Sequence, residues 1–401
     1  MKTSELESLF IENLRKLIAC SSITGMPSNI DDTLDAELVS LGYRVERYAV
    51  TKEDWLIQAE GSPPQEWCGE LPEALIAFPK GYSGELLPLF FAHYDTELPS
   101  EEWKIDPFSL LQIQDRLYGL GSADDKGGVA AILTAIRAAK VNESAILPIV
   151  IFASGKQGGS LGMVQAFSNL GNISYALYCH PAETGNGLGD LKVSSRGIAT
   201  VRVTLRGRVP VPLEVRTPAS ADPRTGINPN ISMAKLVLDI DSWMDSEIVW
   251  SVNNCKSYAP KFGISDRVEL DISAWFTQGT FSQILEIVSL RSKSCLDLSD
   301  SECEVTLELV GLMANPALQP LGEVLSRVRE EIERTTGNTI VDYNWHSASD
   351  IRFPIRIKNV PAVGFGALAG GFYGGEEWVS LSSSMQTVQC LTSLLCEAVE
   401  S

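Results

Sequence analysis

The sequence predicts an α/β fold, a mostly parallel sheet covered by helices, with a second α+β unit inserted into it. Three observations carry this expectation. The apolar runs at 87–93, 146–154 and 175–180 are continuous rather than alternating, the pattern of strands buried on both faces. Between the first two, 127-GGVAAILTAIRAAK-140 reads as a helix, and strand–helix–strand order favours parallel neighbours. Beyond Arg196 the strand-like runs alternate instead, as they do when one face is wet.

Taken in chain order, 1-MKTSELESLFIENLRKLIACSS-22 places Leu6, Leu9, Ile11, Leu14, Leu17 and Ile18 at helical spacing with charges between them. This predicts an amphipathic helix rather than a signal peptide, which needs an unbroken apolar stretch. The acidic pair Asp124 and Asp125, with Lys126, stands at the start of the 127–140 helix. The alternating strand 198–207 is followed by a helix at 230–244, a strand at 267–276, a helix at 281–293 and a strand at 302–311. That series suggests a small sheet with two helices on one side. The Pro- and charge-rich 207–226 segment between them reads as a surface loop. Helix at 319–337, strand at 360–367 and helix at 382–400 then resume the first pattern. The expected domains are 1–195 with 313–401, interrupted by 196–312.

With 401 residues, 44% of them hydrophobic, the chain can bury two cores. Its formal charge of -19 repels nucleic acid and anionic membrane surfaces, which excludes both as partners. Eight cysteines are scattered without a C-x-x-C pair, as expected of reduced, buried thiols in a cytoplasmic protein. No run approaches the ~18 apolar residues of a membrane span.

Only three histidines occur. His93 closes an apolar strand in 91-FAHYDTELP-99, at the carboxyl end where open α/β sheets hold ligands. Asp95, two residues on, shares its face and can orient the imidazole, as a structural pair or beside a metal. His180, in 180-HPAETGNGL-188, and His346, in 343-YNWHSASDIR-352, each fit two descriptions: an acid or base in a pocket, or a satisfied structural histidine. Arg352 fits a bidentate grip on a substrate carboxylate or a salt bridge with Asp350.

The combination of H-x-D at 93–95, W-x-x-D-P-F at 103–108, L-Y-G-x-G-x-x-D-x-K-G-G at 117–128 and G-S-x-G at 159–162 resembles the zinc-dependent aminoacylase and exopeptidase family. Its members include acetylornithine deacetylase, succinyl-diaminopimelate desuccinylase, carnosinase and glutamate carboxypeptidases. The S-D-x-R segment at 349–352 and the inserted unit, the family's lid and dimerisation domain, extend the likeness over essentially the whole chain. The resemblance implies a homodimer and a small amino-acid-derived substrate.

It also implies site residues. Members bind two zinc ions bridged by one aspartate, beside a glutamate that acts as general base. Carried over position by position, the bridging residue is Asp124, and His93 and Glu183 complete one metal's ligands, a chemically adequate set for Zn2+ with an open position. Asp95 supports His93.

Four positions depart from the family. In 152-FASGKQGGSLG-162, Lys156 and Gln157 stand where the family has two glutamates, the base and a second-metal ligand. Tyr373 occupies the place of the last metal histidine, counted back from Glu377, and Val211 that of the lid histidine. Exchanging two carboxylates (-2) for an ammonium and an amide (+1) changes the local charge by +3, which opposes a second dication. The expected enzyme therefore holds at most one firmly bound Zn2+.

Lys156, a catalytic candidate with His346, would serve as a cation holding Asp124, Glu183 or a substrate carboxylate, or as a base if burial lowers its pKa. Arg352, Asn228, Tyr373 and Gln157 are the expected substrate contacts. The reaction is either a mononuclear version of the family's amide hydrolysis or metal-independent chemistry of specialised metabolism: cyclisation, elimination, isomerisation or acyl transfer. A pseudoenzyme that only binds its ligand is the third reading.

Overall fold

A computed structural model describes residues 2–51, 69–156, 159–208, 227–258, 265–296, 303–319 and 323–396. The chain divides into two compact units, Met1–Ser195 with Ala317–Ser401, and Arg196–Pro316.

The first unit is built on an eight-stranded sheet. From one edge its order is Tyr43–Ala49, Glu73–Pro79, Ile149–Ala153, Leu89–His93, Ala176–Cys179, Ala362–Phe365, Asp190–Lys192 and Val341–Tyr343. The run from Ile149–Ala153 to Ala362–Phe365 is parallel throughout, and these four strands are buried along their whole length. Their continuous apolar sequence has a simple cause: both faces meet a core. Phe90 and Ala92 enter one cluster with Leu14, Ile18, Val129 and Leu391, while Leu89 and Phe91 enter another with Met163, Phe167 and Phe353. The helices Thr3–Ala19, Lys126–Ala139 and Leu381–Cys396 supply the first cluster, and Leu161–Asn169 supplies the second.

Helix Lys126–Ala139 starts so close beneath the sheet that Gly127 and Gly128 in its first turn have no room for a side chain. A Cβ on Gly128 would lie 1.9 Å from the Cys179 carbonyl oxygen and 2.5 Å from Asp125 Oδ1. This contact explains the second glycine of D-x-K-G-G, and it fixes the turn that carries Asp124 against the end of Ala176–Cys179.

Four strands extend the sheet beyond the sequence expectation: the three-residue Asp190–Lys192 and Val341–Tyr343 at one side, and Tyr43–Ala49 and Glu73–Pro79 at the other. Tyr43–Ala49 and Glu73–Pro79 pair antiparallel with each other, and Glu73–Pro79 pairs antiparallel with Ile149–Ala153. Tyr43–Ala49 is an edge strand that mixes Arg44, Glu46 and Arg47 with half-buried residues, so no apolar run marks it. Glu73–Pro79 meets the same continuous-apolar criterion as the central strands.

The second unit is a four-stranded antiparallel sheet in the order Ile248–Tyr258, Arg267–Phe276, Gly197–Arg206, Glu304–Ala314, joined by the helices Pro229–Ile240 and Phe281–Leu296. Its core gathers Val201, Val203, Leu236, Leu270, Ile272 and Val288. The strand Ile248–Tyr258 is absent from the sequence expectation because its second half, NNCKSY, is mostly exposed edge. The 207–226 loop and Val211 lie almost wholly outside the described residues. Among the described residues, no helix is long and apolar enough to cross a membrane.

Candidate active site

The carboxyl ends of two adjacent parallel strands deliver the first histidines. His93 ends Leu89–His93, and His180 follows Ala176–Cys179 directly. Between them lies Asp124, presented by the turn before helix Lys126–Ala139. That turn is held by Glu377, whose buried carboxylate accepts the backbone N–H groups of Gly121 (2.8 Å), Ala123 (2.8 Å) and Asp124 (3.0 Å).

Both imidazoles meet one oxygen. His93 Nε2 lies 2.7 Å and His180 Nε2 2.8 Å from Asp124 Oδ1, while the Tyr373 hydroxyl donates to Oδ2 at 3.2 Å. Behind His93, Nδ1 faces Asp95 Oδ1 at 3.5 Å, and Asp95 is fixed by the Thr24 hydroxyl at 2.6 Å. Behind His180, Nδ1 lies 2.8 Å from the Pro181 carbonyl oxygen and 2.7 Å from Lys192 Nζ. His346 joins from the other side: its Nε2 is 3.1 Å from Glu183 Oε1, which is itself 3.8 Å from His180 Nε2. All three histidines of the chain thus stand in one cluster.

Electrostatics divide the acids from the bases. Burial pushes the Asp124 carboxyl upward, but the flanking histidines outweigh it and hold the group well below the usual carboxylate range. His180 is pushed below its ordinary value by burial and by Lys192. Glu183 resists its own burial, because His346 and His180 draw it down to about 2. His346 is lowered to about 4 by burial and by Lys192, so it rests neutral at pH 7. The wholly buried Lys192 is itself lowered to about 8, by burial.

The profile of Peptidase family M20/M25/M40 matches residues 89–397, most of the chain. The protein belongs to this family. Among curated relatives it is 27% identical to a succinyl-diaminopimelate desuccinylase of Novosphingobium aromaticivorans, over 57% of this chain and 56% of that protein. It is 29% identical to carboxypeptidase G2 of Pseudomonas sp. strain RS-16, over 57% and 50%, and 32% identical to an acetylornithine deacetylase of Yersinia pestis, over 40% and 39%. The chain thus spans about half the length of the curated relatives it matches, or less. Its fold is shared with aminopeptidase PepT of Bacillus cereus, at a TM-score of 0.73, 16% identity and coverage of 97% and 98% of the two chains. A tripeptidase of Staphylococcus aureus gives a TM-score of 0.73 at 17% identity, over 98% and 99%.

M20 enzymes are usually zinc-dependent, and one set of residues here fits such an ion. His93, Asp124 and His180 offer two imidazole nitrogens and a carboxylate oxygen that lie within 4.8 Å of one another. Behind them, Asp95 faces the far nitrogen of His93 at 3.5 Å, in the place of a carboxylate that orients a metal-binding histidine, whereas the far nitrogen of His180 has both the Pro181 carbonyl and the Lys192 ammonium as neighbours. Among the described residues, His180 rather than Glu183 stands with His93 and Asp124 in this grouping, because His180 follows the strand end directly and Glu183 lies three residues beyond it. Glu183 pairs with His346 instead and forms a second possible grouping with it and His180.

Three further candidate residues have partners within the protein. Lys156 does not reach Asp124 or Glu183; its Nζ donates to Asp350 Oδ1 at 2.9 Å and to the Ala348 carbonyl at 3.1 Å. Arg352 is fully buried and bonds Asp350 Oδ1 at 3.1 Å, the salt bridge that is one of its two readings. Burial works against the Asp350 charge, yet Lys156 and Arg352 bring its pKa down to about 2. Asn228 belongs to the second unit, where its side chain accepts the Asn230 N–H at 3.1 Å and caps helix Pro229–Ile240. Gln157 lies outside the described residues.

Sequence reasoning did not single out Lys192. It ends the three-residue strand Asp190–Lys192, whose other end is also charged, so no local pattern signals its burial. His180 is marked in the sequence as a candidate acid or base, and its position at a strand end is the signal that also makes it a ligand candidate.

Proposed function

We propose that this M20 member is an amide hydrolase for a small amino-acid-derived compound, working with a single metal ion held by His93, Asp124 and His180. One observation carries the reading. Two imidazole nitrogens converge on Asp124 Oδ1, whereas Oδ2, which a bridging aspartate would give to a second ion, faces the Tyr373 phenol. The names of the relatives, a desuccinylase, a deacetylase and a carboxypeptidase, favour an acylated amino acid or a peptide as substrate.

A bound Zn2+ would polarise the substrate carbonyl and lower the pKa of a water. The chain's own proton acceptor is the pair Glu183 and His346, since Lys156 is committed to Asp350. His346 has an oxygen acceptor at each nitrogen, Ser347 O at 3.1 Å and Glu183 Oε1 at 3.1 Å. A neutral imidazole satisfies only one of these. Taking up a proton gives it a donor for both, which offsets part of the burial and the Lys192 charge that hold its pKa down at about 4.

Zinc loading followed by desalting should leave about one zinc per chain by plasma spectrometry; two per chain would defeat the single-ion reading. In the loaded enzyme, His346→Asn should lower turnover of N-acyl amino acids by about a hundredfold or more while zinc content stays the same. Unchanged turnover would remove His346 from the mechanism. The inserted unit is the proposed dimerisation surface, and light scattering on the same sample should read twice the chain mass rather than one.

A second reading, metal-independent proton transfer at Asp124, has one observation in its favour: the Lys192 ammonium lies on His180 Nδ1. Loaded protein that retains no zinc yet remains active would select it.

A further inference from the structure

We propose that Lys192 is a positioning residue that fixes the tautomer of His180 and thereby weakens zinc binding at the His93–Asp124–His180 centre. The inference rests in part on the single-ion reading above. His180 Nδ1 has two neighbours of opposite kind, the Pro181 carbonyl oxygen at 2.8 Å and Lys192 Nζ at 2.7 Å. The oxygen only accepts, and an ammonium only donates. Nδ1 can therefore serve one of them.

The remaining contacts decide which. Lys192 Nζ also reaches Pro181 O at 2.9 Å, so the ammonium supplies donors to both the carbonyl and the imidazole. With Nδ1 as acceptor, the proton of a neutral His180 sits on Nε2 and donates to Asp124 Oδ1 at 2.8 Å. The imidazole N–H and two of the ammonium N–H groups then each meet an acceptor. The opposite tautomer sets an N–H against the ammonium and a lone pair against the Asp124 carboxylate, and Lys192 is fully buried, with no solvent to relieve either mismatch.

A metal needs the Nε2 lone pair, which belongs to the mismatched tautomer. Lys192 therefore opposes the ion through hydrogen-bond direction as well as through charge. The position is built to hold it. Gly364, its partner across the sheet, leaves room for the lysine stem, since a Cβ there would lie 2.6 Å from Lys192 Cε, and the Tyr178 ring lies 4.8 Å from the ammonium.

The test is zinc affinity by competition with a chromophoric chelator. Lys192→Met should bind zinc about tenfold or more tightly than wild type, the scale on which partners behind metal ligands act. Lys192→Gln, which keeps an N–H donor without the charge, should fall between them. Equal or weaker affinity in Lys192→Met overturns the proposal. A second measurement needs no variant: nitrogen-15 chemical shifts of the histidines in metal-free wild-type protein. His180 should show a protonated Nε2 and a bare Nδ1, and the reverse pattern overturns the proposal. If neither wild type nor variant takes up zinc, the single-ion reading fails alone, because the tautomer measurement still decides the role of Lys192.

Discussion

Asp124→Asn is expected to abolish zinc retention and to lower amide hydrolysis at least about a thousandfold. The substitution preserves shape and removes charge at the one atom where both imidazoles converge. An amide has a single acceptor oxygen. Turned toward the histidines, it leaves its NH2 against the Tyr373 hydroxyl; turned the other way, it sets NH2 against two ring nitrogens. Neither orientation supplies the negative charge that a dication between two neutral imidazoles needs. Zinc content and turnover of the purified variant check this, with circular dichroism to confirm folding. A variant that keeps its zinc and works within tenfold of wild type would move the centre away from Asp124.

The second large effect is on stability. Glu377→Ala would leave three buried backbone N–H groups of the 121–124 turn without their acceptor. At about 1–3 kcal/mol for each unpaired group, the loss should reach about 3 kcal/mol or more, seen as a lower midpoint in chemical denaturation. Burial raises the Glu377 carboxyl from 4.5 to about 7 in spite of those donors. The folded chain therefore keeps this proton up to about pH 7, whereas the unfolded chain gives it up near 4.5. The sign follows: the contribution is full below 4.5 and is lost as the pH rises through 7. Metal-free wild-type protein should lose stability between about pH 5 and pH 8 relative to Glu377→Gln, whose side chain does not titrate. Parallel profiles for the two proteins would show that Glu377 is already ionised in the fold.

The frame of the protein is largely legible in its sequence, and the reason is burial on both faces. Leu89–His93, Ile149–Ala153 and Ala176–Cys179 read as continuous apolar runs because each alternate side chain meets a different core. Where a strand lies at an edge, as Tyr43–Ala49 and Ile248–Tyr258 do, one side is solvated and the run dissolves into polar residues. The site divides in the same way. His93 and Asp124 stand inside local motifs, so their positions are readable. His180 becomes a ligand candidate only when its strand is set beside Leu89–His93, and Lys192 only when Gly364 is found to make room for it. Lys156 carries the opposite lesson. Its charge suggests substrate or the neighbouring acids, but Asp350, brought by the fold from 194 residues away, takes it, whereas the Asp350 partner of Arg352 is legible in the sequence two residues off.

The junction with the second unit has a consequence for how such a chain can be rearranged. Ser194 and Ser195, the last residues before that unit, pair antiparallel with Leu318 and Ala317, the first after it. The two severed ends therefore lie one strand spacing apart, about 5 Å. A two-residue turn is enough to join them. The inserted unit is in this sense a cassette, entered and left at a single hairpin position of the larger unit.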